Sequence, residues 1–129
     1  MELQDFAAKA VRHCLRLHKR KPTDLDELHD VFIWLISDRR MASLHWKFMH
    51  ESGPTDVLTF QHGEIFIGVE TAKRHARTYG NTLARELCLY IIHGLLHLNG
   101  FDDQTKTRSR KMERIQEKIL ATCLGLRER

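Results

Sequence analysis

Cysteine is scarce in this chain. Cys14, Cys88 and Cys123 are odd in number and far apart, and no pair forms a CxxC. That excludes a disulfide framework and a thiolate-type zinc site, and it points to free thiols in a reducing compartment. Long apolar runs are missing too. The longest, such as residues 31–36, are far too short to span a bilayer. The opening residues Met1-Glu2-Leu3-Gln4-Asp5 are acidic and helical in character, with no secretory pattern. A cytoplasmic protein with no membrane partner is the expectation. There are only two prolines, no repeat and no low-complexity stretch, so residues 1–129 read as one domain.

What is present is a stretch built for metal. His93-Gly-Leu-Leu-His97-Leu-Asn-Gly100-Phe-Asp102-Asp103 carries two histidines four residues apart. On a helix that spacing aims both rings at a common point. Residues 83–98 are apolar on nearly every side, which predicts a buried central helix capped by Asn81 or Thr82. Gly100 supplies the left-handed stop. The chain then turns back and brings Asp102 or Asp103 toward the imidazoles. Two ring nitrogens and one carboxylate make a three-ligand zinc site with a position left for water.

His, His at +4, Gly at +7 and a ligand at +10 is the metzincin frame. The Gly stop and the following acids favour metal over two core histidines bonded to backbone carbonyls. Gly94 stands where a zinc peptidase keeps its general-base Glu, which argues against peptide hydrolysis.

The net charge of +4 is segregated. Residues 1–21 carry six Lys and Arg against two acids, and 104–129 carry eight against three; residues 22–69 carry three against eight. Basic flanks around an acidic centre suit a polyanionic substrate, although solvated helix faces account for each segment alone.

The remaining periodicities predict an amphipathic helix over 2–19, a polar connection over 23–28 and a buried strand over 31–36 with Trp34 in the core. A helix capped by Ser37 follows, with Met41, Leu44 and Phe48 as its inner row. A hairpin of residues 57–60 and 64–69 comes next, then a helix over 70–79 closed by Gly80 and a last helix over about 105–124. The sum is an α+β domain, a small mixed sheet of about three strands covered by helices, with the metal ligands on the buried central helix in a zincin-like arrangement. Thr55 and Asp56 are either turn formers or part of a cleft wall. Trp46 lies on the outer side of its helix, packing on the surface or stacking on a base. Glu86, two turns before His93, is either a partner for a ligand imidazole or a first-turn acid favoured by the helix dipole.

Several stretches fall in register with a known family. Gly53-Pro54-Thr55-Asp56-Val57-Leu58-Thr59-Phe60, Gly63-Glu64-Ile65-Phe66-Ile67, Glu86 and residues 93–102 together resemble the YbeY family of bacterial rRNA-maturation endoribonucleases. The likeness covers roughly residues 28–120. It implies a single-strand-specific endoribonuclease that acts near the 3′ end of 16S rRNA and in ribosome quality control. It implies one Zn2+ per chain, and the small ribosomal subunit or its precursors as partner. By this likeness the nucleophile is either a metal-bound water or the ribose 2′-OH. Loss of activity with retained RNA binding, or hydrolysis of another substrate, are the competing functions.

Three departures stand out. The family's third ligand is His, and the matching residue is Asp103. The family's Arg before the Pro-Thr-Asp stretch aligns with Met49, which cannot grip a phosphate; Lys47, His50, Arg39 or Arg40 are the nearby replacements. The helix begins almost at Met1, so the sheet should lack one of the family's strands.

Overall fold

Helix α5 (Leu83–Leu98) is the axis of the computed structural model, which describes residues 2–125. Of the two capping candidates it is Thr82 that starts it, its hydroxyl accepting from the Arg85 N–H at 3.1 Å. Its end is closed by Phe101 N–H to the Leu96 carbonyl at 3.0 Å, with Gly100 at φ 89°. Ile91, Ile92, Leu95, Leu96 and Leu98 are all buried, so most of the helix's apolar surface is covered.

Around it run α1 (Leu3–Leu15), α2 (Asp24–Glu27), β1 (Phe32–Ile36), α3 (Asp38–Met49), β2 (Val57–Phe60), β3 (Glu64–Gly68), α4 (Val69–Tyr79) and α6 (Lys106–Cys123). Helices α1, α4 and α6 pack on α5, and the sheet closes the remaining side. The sheet has three strands in the order β1-β3-β2, with β1 parallel and β2 antiparallel to β3. This is the small mixed sheet covered by helices that the sequence predicts. Ile65 and Ile67 of β3 face the helices and are fully buried. Gly94 is what lets α5 lie so close, because a Cβ there would meet two Ile65 side-chain carbons at 2.8 Å. Among the described residues no helix is long and apolar enough to cross a membrane.

Four expectations are corrected. The first helix stops at Leu15 rather than residue 19, because Lys19 is drawn away to Asp26 Oδ1 at 2.6 Å and Asn99 Oδ1 at 2.8 Å. The connection over 23–28 contains α2, held by a capping box between Thr23 and Asp26. Strand β1 is an edge strand and not buried: Trp34 is 47% exposed, its indole N–H donating to Glu64 Oε2 at 2.8 Å and its ring stacked between Phe32 and Phe66. Helix α3 packs over β3 and leaves this edge open. On α3 itself the inner residues are Met41 and His45, whereas Phe48 is half exposed against Phe60.

Candidate metal centre

His93 and His97 sit one turn apart on α5, half-buried, with their Nε2 atoms 3.0 Å apart. Asp103 reaches them from the loop before α6. Its Oδ2 lies 3.7 Å from His93 Nε2 and its Oδ1 lies 3.9 Å from His97 Nε2. One donor atom from each of the three residues falls within 4.8 Å of the others, the only such group of three or more His, Cys, Asp or Glu among the described residues. Asp102 turns elsewhere, to Arg108 at 3.3 Å and to the Gln104 N–H at 3.1 Å.

The far sides of the rings settle which nitrogens carry protons. His97 Nδ1 lies 3.1 Å from the Phe101 carbonyl oxygen, which can only accept, so Nδ1 bears the hydrogen. His93 Nδ1 donates in the same way to Gln116 Oε1 at 2.7 Å. In the neutral rings both Nε2 atoms then present lone pairs to each other and to a carboxylate. Three electron-rich donors so placed repel one another unless a cation lies between them. Tetrahedral zinc places its donors roughly 3.3 Å apart, so the observed spacings fit a bound divalent ion with small adjustments. Burial, reinforced by neighbouring His93, holds the His97 imidazole below its ordinary pKa; Asp103 and the Phe101 carbonyl oppose that only in part. The ring is accordingly neutral and ready to ligate at neutral pH.

Two cavities open beside the pair. One is lined by His93, Asp103, Asp56, Glu86, Tyr90 and Gln116. The other is lined by His93, His97, Met49, Leu58 and Phe60. Met49 thus shares a cavity with the histidine pair, at the position where the resemblance puts an Arg. Asp56 accepts from the Val57 N–H at 2.8 Å and shares a cavity wall with His93, so its turn-forming and cleft-lining roles coexist. Thr55 is half-buried, its hydroxyl 3.4 Å from Asp56 Oδ1. Lys47 and His50 are exposed and line neither cavity; the Lys47 ammonium sits 5.4 Å from the Phe48 ring, and the His50 ring packs edge-on to Trp46.

Among the described residues Glu86 makes no hydrogen bond to His93. Its buried carboxylate accepts from Asn81 Nδ2 at 2.8 Å. Burial, together with the Asp56 and Glu86 charges, pushes the Tyr90 phenol up, and that hydroxyl hydrogen-bonds His75 Nδ1 at 2.6 Å. The residue that orients His93 is Gln116, which sequence reasoning missed. One signal was available: Gln116 lies four residues after Met112 and three before Ile119, on the apolar row of α6.

A family model described as Endoribonuclease YbeY matches residues 2–124. The Frankia alni endoribonuclease YbeY is 32% identical over 118 residues, covering 76% of this chain and 65% of its own length. The Moorella thermoacetica protein of the same name is 37% identical over 117 residues, covering 76% of this chain and 74% of its own. A Thermotoga maritima protein solved in solution superposes with a TM-score of 0.68 at 28% identity, over 95% of this chain and 81% of that one. With the residue pattern, the three-donor cluster and a match over nearly its whole length in agreement, this chain belongs to the YbeY family.

Proposed function

We propose that this protein is a metal-dependent endoribonuclease that cuts single-stranded RNA during rRNA maturation, with one Zn2+ held by His93, His97 and Asp103. The observation that carries the reading is the convergence of two Nε2 lone pairs and a carboxylate on one point, beside open cavities, in a chain of this family. A divalent ion at that point supplies a Lewis acid for phosphodiester hydrolysis. The chain's own residues do the rest. The Phe101 carbonyl and Gln116 fix the tautomers and aim of the two rings. Asp103 brings a carboxylate where the family has a third His, a ligand type that zinc accepts beside two imidazoles. Met49, Leu58 and Phe60 give one cavity an apolar wall suited to a base. Gly94 leaves no carboxylate in the peptidase position, in keeping with a phosphodiester rather than a peptide substrate.

The test pairs metal content with cleavage of single-stranded RNA. Purified protein should carry about one equivalent of zinc, and a chelator should abolish cleavage. His97→Ala should lose both. Cleavage by His97→Ala at the wild-type rate would overturn the reading. Metal and RNA binding without cleavage would favour a non-catalytic assembly role, for which Met49 at the family's Arg position is the specific support.

A further inference from the structure

A third cavity, of about 560 Å3, opens on the other side of the ligand-bearing turn. Its volume is that of a small-molecule pocket, ample for a nucleotide. Its wall combines the connection between α1 and α2 with the residues that follow α5 and the first turns of α6. Five cations line it, Lys19, Arg20, Lys21, Arg108 and Lys111, against the three carboxylates of Asp24, Glu27 and Asp102. Lys19 is committed to Asp26, and Arg108 to Asp102. Arg20, Lys21 and Lys111 have no ion-pair partner among the described residues; the Lys111 ammonium sits 5.8 Å from the Phe101 ring.

This cavity is joined to the metal centre in two ways. Asp24 and Leu98 belong both to its wall and to that of the cavity lined by His93 and His97, so the two cavities adjoin. The basic connection is also pinned to the ligand helix. Asn99, two residues past His97 and buried, accepts through Oδ1 from Lys19 Nζ at 2.8 Å and Thr23 Oγ1 at 2.9 Å. Its Nδ2 donates to the Cys14 carbonyl at 2.7 Å. A single buried amide thus sets the distance between the free cations and the imidazoles.

Building on the endoribonuclease reading, we propose that this cavity is a phosphate-binding subsite for the RNA strand flanking the scissile bond, with Arg20, Lys21 and Lys111 as its phosphate contacts. A single strand carries one charge per nucleotide, so a chain threaded past His93 and His97 must place further phosphates somewhere. The adjoining cationic cavity neutralises them, and Phe101 offers its ring beside Lys111.

The experiment uses the full-length, zinc-loaded protein and a labelled 2′-O-methyl oligoribonucleotide of roughly ten nucleotides, within the span that single-strand sites cover. Affinity is read by fluorescence anisotropy across a salt series. Each lost phosphate contact lowers the slope of log affinity against log salt by roughly 0.7. The triple variant R20A/K21A/K111A should lose roughly 2 from the slope and at least about tenfold in affinity at moderate salt. K111A alone should lose roughly 0.7, which keeps the test decisive if the triple variant folds poorly. R110A/R114A/K118A removes the same charge from the exposed side of α6, outside the cavity, and should keep the wild-type slope. An unchanged slope in both cavity variants, or an equal loss in the α6 control, would overturn the subsite. Cleavage lost in His97→Ala alongside that unchanged slope would leave the endoribonuclease reading standing and sink the subsite alone. No binding by the wild-type protein would sink both.

Discussion

Replacing Gly94 with Ala tests how α5 is seated against the sheet. Elsewhere in a helix the change gains about 1 kcal/mol, because glycine has more backbone freedom to lose. Here the added Cβ would lie 2.8 Å from both Cδ1 and Cγ2 of Ile65 and 3.1 Å from Cγ1. Comfortable carbon contacts begin near roughly 3.5 Å. Ile65 is fully buried in the central strand, and its β-branch leaves little rotamer freedom. Cδ1 can swing aside, but Cγ2 moves only with the backbone. Overpacking of this kind costs about 1–3 kcal/mol, and two close carbons on a stiff side chain place it in the upper part of that range. The net expectation is a loss of about 1 to 2 kcal/mol, read as a lower urea midpoint at constant slope by circular dichroism. In an Ile65→Ala background the obstacle is gone, and Gly94→Ala should then stabilise by about 1 kcal/mol. The coupling between the two sites is therefore about 2 to 3 kcal/mol, within the range seen for touching residues. A neutral or stabilising Gly94→Ala in the wild-type background, or a cycle with no coupling, would refute the packing argument. The same reasoning predicts that Gly94→Glu unseats the helix rather than creating a peptidase.

Gln116→Ala frees His93 Nδ1 and should weaken zinc binding by about 10- to 100-fold in a chelator competition, with the fold retained. Asp103→His should tighten zinc binding in the same competition; weaker binding would remove Asp103 from the ligand set. Burial, with neighbouring Cys123 adding to it, pushes the Cys14 thiol from its ordinary value of 9.0 up to about 12. The unfolded chain therefore releases that proton first, so this thiol's contribution to stability is intact below pH 9.0 and is lost as pH rises toward about 12. A thiol reagent at pH 8 should modify none of the three buried cysteines until denaturant is added; rapid labelling of the native protein would contradict their burial.

The centre of the molecule was readable because its signals are local. The apolar run of α5, its Thr82 cap, the Gly100 stop and the i, i+4 pair all lie within two dozen residues, and each obeys backbone geometry rather than tertiary context. The hairpin was readable for the same reason. What failed depended on partners distant in sequence. Residues 31–36 have the composition of a buried strand, but whether an edge is covered is decided by where α3 lands. The first helix loses its last turn to a lysine whose partners are Asp26 and Asn99. Gln116 orients a ring 23 residues away, across a helix–helix interface that no spacing rule specifies. The short α2 was different: Thr23 followed by Asp26 is a capping-box pattern, and the signal was in plain sight.

The open edge of the sheet has a practical consequence. Trp34 and Trp46, the chain's two indoles, are 47% and 59% exposed in the native fold. Both are already wet, so their emission is red-shifted before denaturation and changes little during it. Intrinsic fluorescence is therefore a poor thermometer for this molecule. Quenching by iodide would instead report on whatever comes to cover those rings.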